Sequence, residues 1–169
     1  MLAVFREICA IAEDDGAAFD QGAPVRVVIE IGFGDAVEPG IAETEYPVLL
    51  DLLAPRLRTY SRETVVAEKF EALVKPGRAN SRVKDFYDIW LLSREYRFEG
   101  DALARANAAA FARRKTQIPG EHPFALTSEF AADTAKQQLW TSFAQTIGAE
   151  LPPLDEVVEE LATFLEPRC

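Results

Sequence analysis

Along the first sixty residues one stretch alternates cleanly. From Pro24 to Ile31, Val25, Val27, Ile29 and Ile31 fall on one face, and Arg26, Val28 and Glu30 on the other, which predicts a β-strand. Gly32-Phe33-Gly34-Asp35 closes it with a turn. Before it, Leu2, Phe5 and Cys9 at helical spacing predict a short helix over 2–12, and Ala17-Ala18-Phe19 a short strand. Residues 36–60 read as a connection punctuated by Pro and Gly. Tyr46–Leu53 is expected to add a short strand or one helical turn, and Leu57–Tyr60 an extended piece.

From Ser61 onward the period becomes helical. Ser61 is placed to cap a helix over Arg62–Lys75, with Glu63 in its first turn and Pro76-Gly77 as its stop. A second helix is predicted over 82–94, and a third from a cap at Asp101 to Arg114. Thr127 starts a short helix. Asp133 starts a longer one with Leu139, Trp140, Phe143 and Ile147 on one side, ended by Gly148. After Pro152-Pro153, Asp155 is expected to cap a last helix that buries Val158, Leu161 and Leu165. The fold class is therefore α+β: a small β-containing part over residues 1–60, then a helical domain over 61–169. A lone hairpin is marginal in water, so the strands need either the helices or further strands to pack on.

Composition narrows the function. No apolar run approaches the ~18 residues of a membrane span. The start of the chain has an acidic flank and no small-residue cleavage site, so no secretory signal is expected. The two cysteines, Cys9 and Cys169, exclude a disulfide framework and cysteine-based metal sites, and a reducing cytoplasm suits them. His122 is the single histidine, expected in an exposed loop. The formal net charge of −10 argues against a general nucleic-acid coat. The charge is uneven, however. Between Arg56 and Lys84, eight cationic side chains face three acidic ones, a local +5 that leaves −15 for the rest. Such an island is either a pair of solvated helix faces or a phosphate site.

Three positions break the apolar patterning. Lys69 sits within or beside the stripe Val65, Val66, Phe70 and Leu73. It either snorkels to water or is held there by a partner or a ligand phosphate. Asp85 and Asp88 are embedded in a helix that reads apolar almost all round through Val83, Phe86, Tyr87, Ile89, Trp90, Leu91 and Leu92. Carboxylates so placed need partners. Arg82 can serve Asp85, Lys84 can serve Asp88, and Lys69 on the neighbouring helix can serve either. The Lys–Asp link is structural in one reading; in the other, an aspartate orients Lys69 toward nucleotide phosphate. Glu71 and Lys75 read as an ordinary surface pair, and Tyr87 and Trp90 as core. Glu30 is a solvent-facing strand residue or, near the strand's end before a glycine turn, a metal ligand.

The helix Glu63-Thr64-Val65-Val66-Ala67-Glu68-Lys69 followed by Arg82-Val83-Lys84-Asp85-Phe86-Tyr87-Asp88 resembles the signature of the abortive-infection nucleotidyltransferase toxins of AbiEii/AbiGii type. Val28–Asp35 is similar to that family's middle motif. The resemblance implies a minimal nucleotidyltransferase fold with a helical C-terminal domain. It also implies Mg²⁺-dependent transfer of a nucleotide from a nucleoside triphosphate to a tRNA or protein acceptor, as the toxin of a toxin–antitoxin pair. On that pattern Lys69, with Arg82 and Lys84, would contact phosphate. Asp85 and Asp88 would be the catalytic positions, orienting the lysine or assisting the nucleophile, and Glu30 would be a metal carboxylate. The family's glycine-rich motif and paired aspartates are missing here, and Glu30 replaces the usual aspartate. The expectation is thus a truncated chain, inactive by itself. The alternative is a non-catalytic module or structural remnant that binds an antitoxin partner.

Overall fold

A computed structural model describes residues 37–48, 53–119 and 122–165. The predicted helix at 2–12, the strands at 17–19 and 24–31, Glu30 and Asp35 lie outside the described residues. The account below concerns the unit that begins at Gly34.

Among the described residues, two strands and six α-helices follow in chain order. Strand β1 (Ile41–Glu45) pairs antiparallel with β2 (Arg56–Tyr60), with Ile41 opposite Tyr60 and Glu45 opposite Arg56. The expected extended piece at 57–60 is present as β2. β1 was not foreseen, and residues 46–48 and 53 are neither strand nor helix. β1 escapes a pattern search because it buries no face: every residue of Ile-Ala-Glu-Thr-Glu is exposed. Cross-strand chemistry holds the register instead. Thr44 and Thr59 join through their hydroxyls at 3.1 Å, and Arg56 reaches Glu43 at 3.3 Å.

Helix α1 (Arg62–Val74) starts where the sequence predicts. The Ser61 hydroxyl accepts from the Thr64 backbone N–H at 3.1 Å. The Ser61 and Thr64 hydroxyls both donate to the Glu38 carbonyl, at 3.3 and 2.7 Å, tying the chain before β1 to the helix start. After Pro76, Gly77 turns the chain at φ +54° into one 3₁₀ turn. Asn80 is fully buried there. Its amide donates to the Leu73 carbonyl at 2.8 Å, and its carbonyl accepts from the Arg82 N–H at 2.8 Å. One side chain thus satisfies the end of α1 and the start of α2 (Val83–Glu95). α2 is more one-sided than expected: Val83, Phe86 and Ile89 are buried, Tyr87, Trp90 and Leu92 are half-buried, and Leu91 is exposed.

α3 (Gly100–Arg114) is preceded by Glu99 rather than capped by Asp101, which lies inside the first turn. It packs on α1 through Ala106 and Ala110 against Ala67, small residues that let the two backbones approach closely. Thr127 caps α4 (Ser128–Ala131), and Asp133 caps α5 (Thr134–Ile147) by accepting from the Ala135 and Lys136 N–H groups at 2.8 and 3.2 Å. Gly148 stops α5 at φ +65°. Only Trp140 of α5 is buried; Leu139 and Ile147 stay exposed, so the expected apolar side is half used. α6 (Leu154–Leu165) begins one residue before Asp155 and buries Val158, Leu161 and Leu165 as predicted. The core gathers these faces around Phe86 stacked on Phe130 (5.0 Å) and Phe70 against Phe111 (5.4 Å).

Candidate functional site

α1 and α2 form an antiparallel hairpin. Helical periodicity sets Arg62, Val65, Lys69 and Leu73 along one stripe of α1, and Asp85, Asp88, Leu92 and Tyr96 along the facing stripe of α2. Lys69 is brought between both aspartates. Its Nζ donates to Asp88 Oδ2 at 2.6 Å and to Asp85 Oδ1 at 3.0 Å. Asp85 Oδ2 accepts from Arg82 Nε at 2.6 Å, and Asp88 Oδ2 accepts a second bond from Lys84 Nζ at 2.6 Å. Three cations therefore share two carboxylates, an excess of one positive charge in a chain of net −10.

The cluster is graded from inside to outside. Asp85 is buried, the Lys69 and Asp88 side chains keep 24% and 21% of their surface, and Arg82 and Lys84 are exposed. Burial alone would depress the Lys69 ammonium, but the hydrogen bonds to Asp88 and Asp85 outweigh it and hold its pKa above the ordinary value. Burial likewise pushes Asp88 up, and Lys69 and Lys84 more than reverse it, leaving its carboxyl below the usual range. Both stay charged around neutrality. A carboxylate with a depressed pKa is a weak base, so Asp88 suits holding Lys69 better than abstracting a proton.

The donor set bears on the divalent metal that the resemblance implies. Asp85 and Asp88 already accept four hydrogen bonds from ammonium and guanidinium donors, and three cations would repel a fourth. No cluster of three or more metal-ligating side chains occurs among the described residues. The Lys69 cluster thus carries one positive charge in excess and does not fit Mg²⁺. Glu30, the expected metal carboxylate, lies outside the described residues.

Sequence reasoning missed two buried polar residues. Asn80, described above, sets the hairpin geometry. Glu71 does pair with Lys75, at 3.8 Å, but it is not on the surface: it is fully buried. It accepts from the Thr116 hydroxyl, and its other oxygen lies 3.5 Å from Arg114 Nε. Arg114 also binds Glu68. The available signal was the spacing Thr64, Ala67, Glu71, which marks a second buried face of α1. His122 is exposed, as expected, and Tyr87 and Trp90 pack against the core, with Trp90 Nε1 donating to Glu160 at 3.0 Å.

Comparison with known proteins bears on what this cluster serves. A family model described as "Nucleotidyl transferase AbiEii toxin, Type IV TA system" matches residues 4–164. The chain belongs to the AbiEii toxin family. The match contains both halves of the Lys69–Asp85–Asp88 cluster. No curated protein and no solved structure matches the chain. As a member of this family it is a nucleotidyltransferase-like toxin of a type IV toxin–antitoxin system, and the family implies a nucleotide substrate and an antitoxin partner. Among the described residues no helix is long and apolar enough to cross a membrane.

Proposed function

We propose that this AbiEii-type chain, acting in the cytoplasm, binds a nucleoside triphosphate with Lys69 as the phosphate contact. In this reading residues 1–60 form the nucleotidyltransferase-like part and 61–169 the helical part that presents the lysine. The supporting observation is that Lys69 Nζ lies within 2.6 and 3.0 Å of Asp88 and Asp85 while its side chain still reaches solvent. A fixed ammonium, flanked by exposed Arg82 and Lys84, meets an incoming phosphate without having to be ordered first. Asp85 and Asp88 act as positioning residues: they keep Lys69 charged and aimed. The phosphate would exchange with part of the carboxylate coordination, for which Arg82 and Lys84 remain as alternative partners of the aspartates.

The family description supports nucleotidyl transfer, and we propose an RNA or protein as its acceptor. The chain contains no Asp-x-Asp pair. We therefore expect residues 1–169 by themselves to bind nucleotide without transferring it. The test incubates the purified chain with Mg²⁺, each labelled nucleoside triphosphate and total tRNA, and measures binding and label transfer separately. Nucleotide binding that is lost in Lys69→Ala supports the phosphate site. Wild-type protein that binds no nucleoside triphosphate overturns it. Label in RNA or protein, lost in Lys69→Ala, would overturn the expected inactivity and keep the site.

A further inference from the structure

The α1–α2 seam does not end at the lysine. Seven residues before Lys69, on the same stripe, Arg62 lays its guanidinium over the ring of Tyr96, with Cζ 4.0 Å from the ring centroid. Tyr96 is the C-cap of α2, and 44% of its surface remains exposed; Arg62 is exposed as well. Between the two ends lie half-buried Val65 and Leu92, an apolar floor. At the rise of an α-helix, seven residues separate Arg62 from Lys69 by about 10 Å. That distance is comparable to the reach from the phosphates of a nucleoside triphosphate to its base.

We propose that Arg62 and Tyr96 form a nucleobase-stacking subsite for the nucleotide whose phosphates Lys69 holds; the proposal rests on the phosphate-site reading above. A guanidinium already stacked on a phenol ring presents two exposed, preorganised planar groups, and nucleobases stack on such surfaces without needing a particular edge pattern. The subsite therefore contributes affinity for nucleosides as a class and little discrimination among the four bases. The charges near it are compatible: Arg62 and Lys69 are the cations on the stripe, and Val65 and Leu92 between them are uncharged.

The test compares two probes on the full chain, a nucleoside triphosphate and inorganic tripolyphosphate, by titration calorimetry. Tripolyphosphate has no base and reads only the phosphate site. We expect Tyr96→Leu to weaken nucleoside triphosphate binding about 5- to 10-fold, in the range of one base–aromatic stack, and to leave tripolyphosphate binding unchanged. Tyr96→Phe keeps the ring and should keep wild-type affinity for both. Lys69→Met should weaken both probes. Circular dichroism of each variant controls for folding. If Tyr96→Leu, folded, weakens both probes equally or neither, the stacking subsite is wrong while the phosphate site stands. If the wild-type protein binds neither probe, the phosphate-site reading itself fails.

Discussion

Helix α1 carries an ionic cluster on each of two faces, and the two have opposite character. Toward α2, Lys69 sits in a cluster with one cation in excess, open at its rim. Toward α3, Glu68 and Glu71 share Arg114, with Glu71 fully buried and Lys75 only at 3.8 Å. One oxygen of Glu68 and one of Glu71 are buried without a hydrogen-bond partner. An exposed surplus cation can exchange its carboxylate for a ligand's phosphate. A closed cluster whose two carboxylates are matched by Arg114 and Lys75 has no surplus cation to offer an anion; it holds two helices together. Burial and the presence of a surplus cation separate a candidate binding site from a clamp, although both read as charged residues on one amphipathic helix.

The sharpest way to break this contrast is to remove the clamp. Arg114→Leu removes the guanidinium that Glu68 and Glu71 share and leaves Glu71 the Thr116 hydroxyl and Lys75, which should cost about 3 kcal/mol, the upper end for a hydrogen bond to a charged group. Denaturant unfolding measures it. If Arg114→Leu unfolds at the wild-type midpoint, Glu71 is not held by that charge.

Asn80→Ala comes next. It removes the amide that serves both ends of the α1–α2 connection and leaves the Leu73 carbonyl and the Arg82 N–H without that partner. A loss of about 1–3 kcal/mol is expected, together with weaker nucleotide binding because the Lys69–aspartate geometry loosens. A variant destabilised by this amount that binds nucleotide as tightly as wild type would show that Asn80 does not set the site.

Lys69→Met sharpens the other side. Its stability loss should be smaller, about 1–2 kcal/mol, because Asp88 is partly solvated and the two aspartates keep Arg82 and Lys84 as partners. Its effect on nucleotide affinity should exceed that of any clamp variant that still folds. Equal binding by Lys69→Met and wild type contradicts the contrast directly.

The pH dependence of the Lys69 cluster follows from the two shifted groups. The folded pKa of Asp88 is lowered, so its stabilising contribution is present above the ordinary value of 3.8 and is lost as pH falls through the lower folded value. The folded pKa of Lys69 is raised, so its contribution is present below 10.5 and is lost as pH rises through the higher folded value. The stability difference between wild type and Asp88→Asn should therefore be flat from pH 5 to pH 9 and shrink toward acid. A difference that peaks in acid would reverse the sign of the Asp88 shift. The smallest effect belongs to Thr59→Ala in the exposed ribbon, within the ~0.2–1 kcal/mol of one cross-strand pair.

The chain itself determined most of the helical unit. Caps at Ser61, Thr127 and Asp133 and stops at Gly77 and Gly148 are local chemistry, decided within a few residues, and they stand where the spacing puts them. The oddness of Lys69, Asp85 and Asp88 was also legible, because a charge inside an apolar stripe breaks a period. The candidate partners were legible too: Arg82 serves Asp85 and Lys84 serves Asp88 as expected, while Lys69 takes both aspartates at once, a meeting that depends on how the hairpin closes around buried Asn80. Glu71 was misread because an i,i+4 pair looks the same on any face of a helix; only the packing of α3 against Ala67 decides that this face is inside. β1 was invisible for the opposite reason, since a strand exposed on both sides leaves no hydrophobic alternation to find. Local preference needs only neighbours in sequence, whereas burial and ionic pairing are properties of the assembled fold, and the tertiary structure alone turned a charged helix into one open face and one closed face.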